Sequence, residues 1–262
     1  MNYKKRIIIY NLLGNCFYYS GFLAIYNLIR KYSKKKYLSI LMYHKIQENI
    51  DSHLVNATPT QFESQLNYLK KHYKIISFNE LNNFKKDSVI ITFDDGYLNN
   101  YNVAFPILKK YNSKATIFLT TSLVNKDDFL TKKLINQMNN YEIEFESHTL
   151  THPDLTKITP QELDKELSLP IRYLKTLTKK DSKILCYPYG LYNQKVVNSA
   201  IEKGYKYAVT IDFGLNTLKT DKYRLRRIMM NPEENLSFFK LKLTPLWSSL
   251  RKLYHFGNEK DD

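Results

Sequence analysis

An α/β barrel is the fold class this sequence predicts, and three observations predict it. Runs of β-branched and aromatic residues such as Leu38 to Tyr43, Val89 to Phe93 and Ala115 to Leu119 recur along the chain, the composition of parallel strands covered on both faces. Segments with helical spacing of apolar residues separate them. Seven or eight strands alternating with helices within 262 residues point to a parallel sheet, and at this length to a closed barrel. The third observation is that the polar residues able to do chemistry follow predicted strand ends, the face on which such barrels carry their sites.

Residues 1–36 stand apart and predict a hydrophobic or amphipathic helix ahead of the barrel. Lys4, Lys5 and Arg6 precede an apolar and aromatic run from Ile7 to Ile29, and Arg30, Lys31, Lys34, Lys35 and Lys36 follow it. Asn11, Asn15, Ser20 and Asn27 interrupt the run, and no small-residue cleavage site follows, which counts against a removed signal peptide. Basic flanks on both sides suit a helix lying in the headgroup region of an anionic leaflet, with an uncleaved signal anchor and an ordinary packing helix as the alternatives.

From Tyr37 the elements alternate. Leu38 to Tyr43 reads as a strand ending at His44, and a helix follows over Pro59 to His72, with Thr60 and Glu63 at capping-box spacing. Ile75 and Ile76 make a short strand. Val89 to Phe93 is a buried strand that ends in Asp94-Asp95-Gly96, with a helix near Asn99 to Lys110 in which Pro106 is expected to kink or end the run. Ala115 to Leu119 is the next strand, Thr131 to Asn139 a helix, and Tyr141 to Glu146 a strand leading into Ser147-His148-Thr149-Leu150-Thr151-His152-Pro153. Thr159 as N-cap, Pro160 at the first position and Glu162 at the third open a helix toward Leu177 that Pro170 should disturb. Lys183 to Tyr187 is a strand ending at Pro188-Tyr189-Gly190, Asn193 to Lys203 a helix closed by Gly204, and Tyr207 to Ile211 and Arg224 to Met229 the last strands. The domain division is therefore a membrane-associating segment over 1–36 and a barrel domain over 37–262, of which 231–262 is a C-terminal extension.

Composition narrows the partners. Forty Lys and Arg against 25 Asp and Glu give a net charge of +15, which suits an anionic membrane surface, an acidic polymer or nucleic acid. Zinc-finger spacing, a basic helix with heptads and an aromatic RNP-type strand are all missing from the sequence, so no nucleic-acid partner is expected. The two cysteines, Cys16 and Cys186, imply no disulfide framework. No feature predicts a protein partner.

The chemistry-bearing residues share one position. His44, Asp94 and Asp95, His148 and His152, Tyr189 and Asp212 each follow a predicted strand end and are expected on one face of the barrel. Asp94 and Asp95 would point apart if their strand continued, but Gly96 lets the chain turn so that both carboxylates can face one cavity. Their alternative role is to cap the next helix. His148 and His152, four apart, can reach one ion from a single turn of chain, and with Asp95 they make a three-ligand set with open positions. Two imidazoles and a carboxylate suit zinc and other divalent transition metals, which the sequence does not separate.

Thr92-Phe93-Asp94-Asp95-Gly96 together with the Ser147 to Pro153 stretch resembles the first two motifs of the polysaccharide deacetylases, carbohydrate esterase family 4 or the NodB-homology group. The likeness covers roughly residues 37–230. Leu41-Met42-Tyr43-His44 and Tyr187-Pro188-Tyr189-Gly190 look most like the branch acting on poly-N-acetylglucosamine. The resemblance implies a deformed (β/α) barrel of the NodB-homology type and a metal-dependent hydrolase of linear amides that removes acetyl from an N-acetylated sugar. On matching positions it implies Asp95, His148 and His152 as metal ligands, Asp94 as general base and the Tyr189 backbone N–H as an oxyanion donor.

Two departures from the family pattern stand out. Cys186 occupies the place where many members carry an arginine that orients the base; Arg226 or Arg227 is the available substitute, against a solvated basic face. A late Leu-x-His motif supplies a general acid elsewhere in the family, but no histidine occurs between His152 and His255. His44 is the candidate acid, with a structural histidine as its alternative; His53 and His72 carry no expected role. The substrate implied is a polysaccharide or lipid-linked glycan, and the location a membrane-associated one in a bacterial cell envelope, on a side the sequence does not specify. A catalytically impaired glycan-binding or membrane scaffold that keeps the barrel is the competing reading.

Overall fold

The computed structural model describes residues 3–50 and 54–253; His53, His255 and the end of the C-terminal extension lie outside them. Two helices come first, α1 (Tyr3–Tyr19) and α2 (Phe22–Lys31). Strands β1 (Leu38–Tyr43), β2 (Lys45–Ile46) and β3 (Val55–Ala57) precede α3 (Pro59–His72) and β4 (Lys74–Ile75). The remainder runs β5 (Ser88–Phe93), α4 (Phe105–Lys110), β6 (Ala115–Leu119), α5 (Lys132–Asn139), β7 (Ile143–Ser147), α6 (Pro160–Thr178), β8 (Ile184–Cys186), α7 (Gln194–Glu202), β9 (Tyr207–Phe213), β10 (Leu225–Met229), α8 (Leu236–Lys242) and α9 (Pro245–Leu253).

Strand β1 closes the barrel. It pairs in parallel with β10 on one edge and with β5 on the other, Leu38 against Ser88 through Tyr43 against Phe93, so that β1, β10, β9, β8, β7, β6 and β5 form a ring of seven. The far edge of β5 is shared: β4 pairs with Ser88 and Val89, and β6 takes over only at Thr92 and Phe93. The ring is deformed at this seam.

Side-chain alternation divides the strands between two cores. Leu41, Tyr43, Val89, Ile91 and Phe93 face outward and pack with Phe62, Leu66, Leu69, Ile135 and Met138 of the surrounding helices. Leu38, Ile40, Ile90, Phe118, Ile184, Val209 and Leu225 fill the interior, together with Cys186. Continuing the inward register by steps of two leads from Ile90 to Thr92 to Asp94, and from Leu225 to Arg227. The interior thus changes from apolar to charged toward the C-terminal strand ends.

Several sequence expectations need correction. The α3 capping box is formed by Thr58 and Gln61, not Thr60 and Glu63, because Thr58 is the last extended residue before the helix. The expected Asn99 to Lys110 helix begins as a π-turn over Asn100–Ala104 before α4. Pro170 does not interrupt α6, which runs on to Thr178 with the proline buried. β9 extends to Phe213, so Asp212 lies within the strand rather than after it.

The N-terminal helices are part of the folded body. Tyr10, Leu13 and Phe17 pack against Phe238 and Leu241 of α8 and Trp247 of α9, with Leu23 joining from α2. Gly14 permits the approach: a Cβ there would lie 2.4 Å from the Phe238 nitrogen. Asn11 accepts the Asn235 backbone N–H at 2.8 Å and donates to the Glu233 carbonyl at 2.9 Å. The opposite face is apolar and open to solvent, with Ile8, Leu12, Ile25, Leu28 and Ile29 each about 60% exposed or more. No single described helix is long and apolar enough to cross a membrane; α1 and α2 together meet the length and composition but are bent by 70°.

Candidate active site and metal centre

The chain at the end of β5 turns by leaving right-handed space twice. Asp95 has φ 70° and Gly96 φ 80°, so the two acids end up facing the same end of the barrel. The positive φ favours glycine at residue 96, and a side chain there would also meet the end of the Leu119 side chain. Thr149, His152 and Tyr189 also have positive φ, between 56° and 67°, and left-handed non-glycine residues gathered at one place are a mark of functional strain.

Asp94 is buried at the top of the inward column. Arg227 grips it with both halves of its fork, Nη1 to Oδ1 at 2.7 Å and Nη2 to Oδ2 at 2.8 Å. The remaining guanidinium protons are also placed: Nε donates to the Thr210 carbonyl at 2.8 Å, Nη1 to Thr92 Oγ1 at 3.4 Å and Nη2 to Cys186 Sγ at 3.2 Å. All five donors of the group are therefore used. Burial pushes the Asp94 carboxyl up, but the Arg227 charge and hydrogen bonds outweigh it and hold the group well below the usual carboxylate range. The Cys186 thiol, pushed up by burial, donates to Asp94 Oδ2 at 3.6 Å. Arg227 of β10 is therefore the arginine that reaches Asp94. Arg226, on the alternate face, is exposed.

Asp95, His148 and His152 converge beside this pair, with one ligand atom from each lying within 4.8 Å of the others. Asp95 Oδ1 is 3.5 Å from His148 Nε2 and 3.8 Å from His152 Nε2, and the two Nε2 atoms are 3.1 Å apart. His148 is committed to one tautomer. Its Nδ1 donates to the Cys186 carbonyl at 2.8 Å, leaving the Nε2 lone pair aimed at the cluster. Burial pushes its pKa down to about 4, against the pull of Asp94 and Asp95, so the ring is a neutral donor near neutral pH. Two imidazole nitrogens crowded against one carboxylate oxygen are a donor set that fits a divalent cation.

Glu166 of α6 holds the loop that carries the histidines. Its Oε2 accepts the Leu150 and Thr151 backbone N–H groups, both at 2.9 Å, and Oε1 accepts the Thr151 hydroxyl at 2.6 Å. Sequence reading did not single it out, since a helical glutamate carries no local signal.

His44 Nε2 is 4.0 Å from Asp94 Oδ2. Tyr189 is 59% exposed and its ring centroid is 4.6 Å from that of His152. Asp212 does not join them; its carboxylate accepts the Tyr192 hydroxyl at 3.4 Å. Of the residues expected at the barrel face, His44, Asp94, Asp95, His148, His152 and Tyr189 come together and Asp212 stands apart.

Comparison with known proteins shows the family. The family model described as polysaccharide deacetylase matches residues 81–208. The chain is 33% identical over 217 residues to YxkH of Bacillus subtilis (strain 168), covering 80% of this chain and 77% of that protein. It is 32% identical over 199 residues to the poly-beta-1,6-N-acetyl-D-glucosamine N-deacetylase of Staphylococcus epidermidis, 67% of this chain and 68% of that one. Among solved structures, the Streptococcus pyogenes deacetylase PplD in complex with acetate superposes with a TM-score of 0.75 at 31% identity, over 80% of this chain and all of that one.

Proposed function

The chain belongs to the polysaccharide deacetylase family and is a carbohydrate N-deacetylase, and on that premise we propose that it is metal-dependent and releases acetate from an N-acetylated glycan at an anionic membrane surface. The observation that carries the reading is the convergence of Asp94, held by Arg227, with the Asp95, His148 and His152 set at one end of the barrel.

Asp95, His148 and His152 would hold a divalent ion, zinc foremost, with nickel or cobalt as alternatives. Such an ion supplies polarisation of the acetyl carbonyl and a more acidic water when bound. Asp94 takes the proton of the attacking water; Arg227 keeps it ionised and aimed, which matters more for so weak a base than its proton affinity does. The Tyr189 backbone N–H donates to the oxygen on which negative charge develops. His44 supplies the proton that the departing amine needs. The two departures that favoured an inert scaffold therefore both have occupants, Arg227 for the missing arginine and His44 for the missing histidine.

The likeness to the S. epidermidis enzyme supports a poly-N-acetylglucosamine as substrate, with a lipid-linked N-acetylhexosamine as the alternative and the exposed Tyr189 ring as a stacking surface for a sugar. The exposed apolar face of α1 and α2 between Lys4, Lys5, Arg6 and Lys34 to Lys36 supports peripheral docking on an anionic leaflet of the cell envelope. Acetate release from N-acetylglucosamine oligomers, assayed with and without Zn²⁺, Ni²⁺ or Co²⁺, tests the activity. It should be lost in Asp94→Asn and His148→Ala; release that survives both substitutions would reject the site.

A further inference from the structure

Asn56 is buried, 2% exposed, on β3, which pairs with β2 in a small two-stranded ladder beyond the barrel. Its side chain makes three polar contacts. Oδ1 accepts the His44 backbone N–H at 2.6 Å and lies 3.2 Å from His44 Nδ1, while Nδ2 donates to the Met230 carbonyl at 3.0 Å. The last contact settles which way the amide faces, because a carbonyl only accepts. Oδ1 must then be the atom at His44, and an acceptor there obliges Nδ1 to carry the proton. Nε2 is left as the atom that faces Asp94. The His44 carbonyl is held as well, by Asn100 Nδ2 at 2.7 Å.

We propose that Asn56 is a positioning residue: it imposes the Nδ1–H tautomer on His44, so that Nε2 is the nitrogen that gains and delivers the proton for the leaving amine. The inference rests on the reading of His44 as general acid. In the step, the water oxygen bonds to the acetyl carbon as Asp94 takes one water proton, and that proton passes to the free Nε2 of His44. The carbon–nitrogen bond then breaks, its electron pair stays on nitrogen, and the Nε2 proton moves to that nitrogen. Acetic acid and free amine result, and ionised Asp94 and the neutral Nδ1–H form of His44 are both restored. With the other tautomer Nε2 would already bear a hydrogen in the neutral ring, and Asp94 would have no lone pair to recharge.

The residue pair also ties acid to base. Arg227 orients Asp94 from β10, and Met230, at the end of the same strand, anchors Asn56. One strand end therefore registers both proton-handling groups.

The test is nitrogen NMR of the full-length protein labelled with ¹⁵N-histidine, with the His44 signals assigned by their loss in His44→Gln. The wild type should show His44 as the neutral Nδ1–H form, Asn56→Ala should move it toward Nε2–H, and Asn56→Asp, which keeps the acceptor, should retain Nδ1–H. Nε2–H in the wild type, or an unchanged tautomer in Asn56→Ala, overturns the proposal; the wild-type spectrum decides even if a variant does not fold. Activity separates the parent reading. If His44 is the acid, His44→Gln should lower deacetylation of the N-acetylglucosamine oligomer by about 100-fold or more while sparing hydrolysis of a nitrophenyl acetate ester, whose leaving group needs no proton. Equal loss on both substrates rejects the acid reading without touching the tautomer result. In Asn56→Ala, kcat on the amide should fall about 10-fold with the ester spared.

Discussion

Arg227 and Asp94 form a two-pronged buried ion pair, 2.7 and 2.8 Å, across 133 residues of sequence. Cys186 is held by the same pair, its Sγ accepting from Arg227 Nη2 at 3.2 Å and its thiol donating to Asp94 Oδ2 at 3.6 Å. A lysine at residue 227 would keep the charge but lose the fork.

Arg227→Lys should therefore lower kcat by about 100-fold with little change in KM, the scale expected when a reacting group is misaimed. Arg227→Met strands a buried carboxylate and should cost about 3 to 5 kcal/mol of stability, read from denaturant midpoints. Wild-type turnover in Arg227→Lys would show that charge alone suffices.

Glu166 touches none of the proposed ligands, yet its carboxylate gathers three donors from the loop between His148 and His152. Glu166→Ala should weaken zinc binding by about 10- to 100-fold, the usual cost of removing a group that orients ligands. Titration of metal-free protein with Zn²⁺ checks this, and stripping the metal with a chelator should abolish acetate release until Zn²⁺ is restored.

Glu146 of β7 is buried, its Oε2 accepting from Ser182 Oγ, Lys183 N and Ile184 N at 2.7 to 3.0 Å. Burial pushes its pKa up to about 8 from an ordinary 4.5, so the folded state holds a proton that the unfolded chain releases. Since the folded value is raised, the contribution to stability is complete below about pH 4.5 and is lost as pH rises through 8. Glu146→Gln should flatten that decline and be the more stable protein at pH 8 by a few kcal/mol. Parallel pH curves for the two proteins would count against a protonated Glu146.

The exposed apolar face and the packed face of the α1 and α2 pair are distinct. Ile25→Glu with Leu28→Glu, both on the exposed side, should abolish flotation with phosphatidylglycerol vesicles while leaving thermal stability and acetate release unchanged. Gly14→Leu, on the packed side, should destabilise the domain by several kcal/mol, because the side chain meets Phe238 backbone. Removing residues 1–36 entirely would uncover Phe238, Leu241 and Trp247, so point substitutions are the sharper test.

Much of this was legible in the chain. Buried strands announce themselves through β-branched runs, and the pairings Asp94-Asp95 and His148-x-x-x-His152 sit at strand ends where a parallel barrel gathers its loops, so fold class and the prospective ligand set need no coordinates. Local signals mislead where two caps compete, as at Thr58 and Thr60, or where tertiary packing carries a helix through Pro170. What only the tertiary structure decided are the long-range partners. Sequence left Arg226 and Arg227 equal; the inward register of β10 puts Arg227 alone beneath Asp94. It offered His44 without a tautomer; a buried Asn56, fixed by the Met230 carbonyl, supplies one. It left residues 1–36 as an interfacial helix, a signal anchor or a packing helix; one face of α1 packs into the core of α8 and α9. Composition and short-range periodicity record what each segment can bury, but which polar groups meet depends on ring closure, and closure joins residues too far apart for any local pattern to hold.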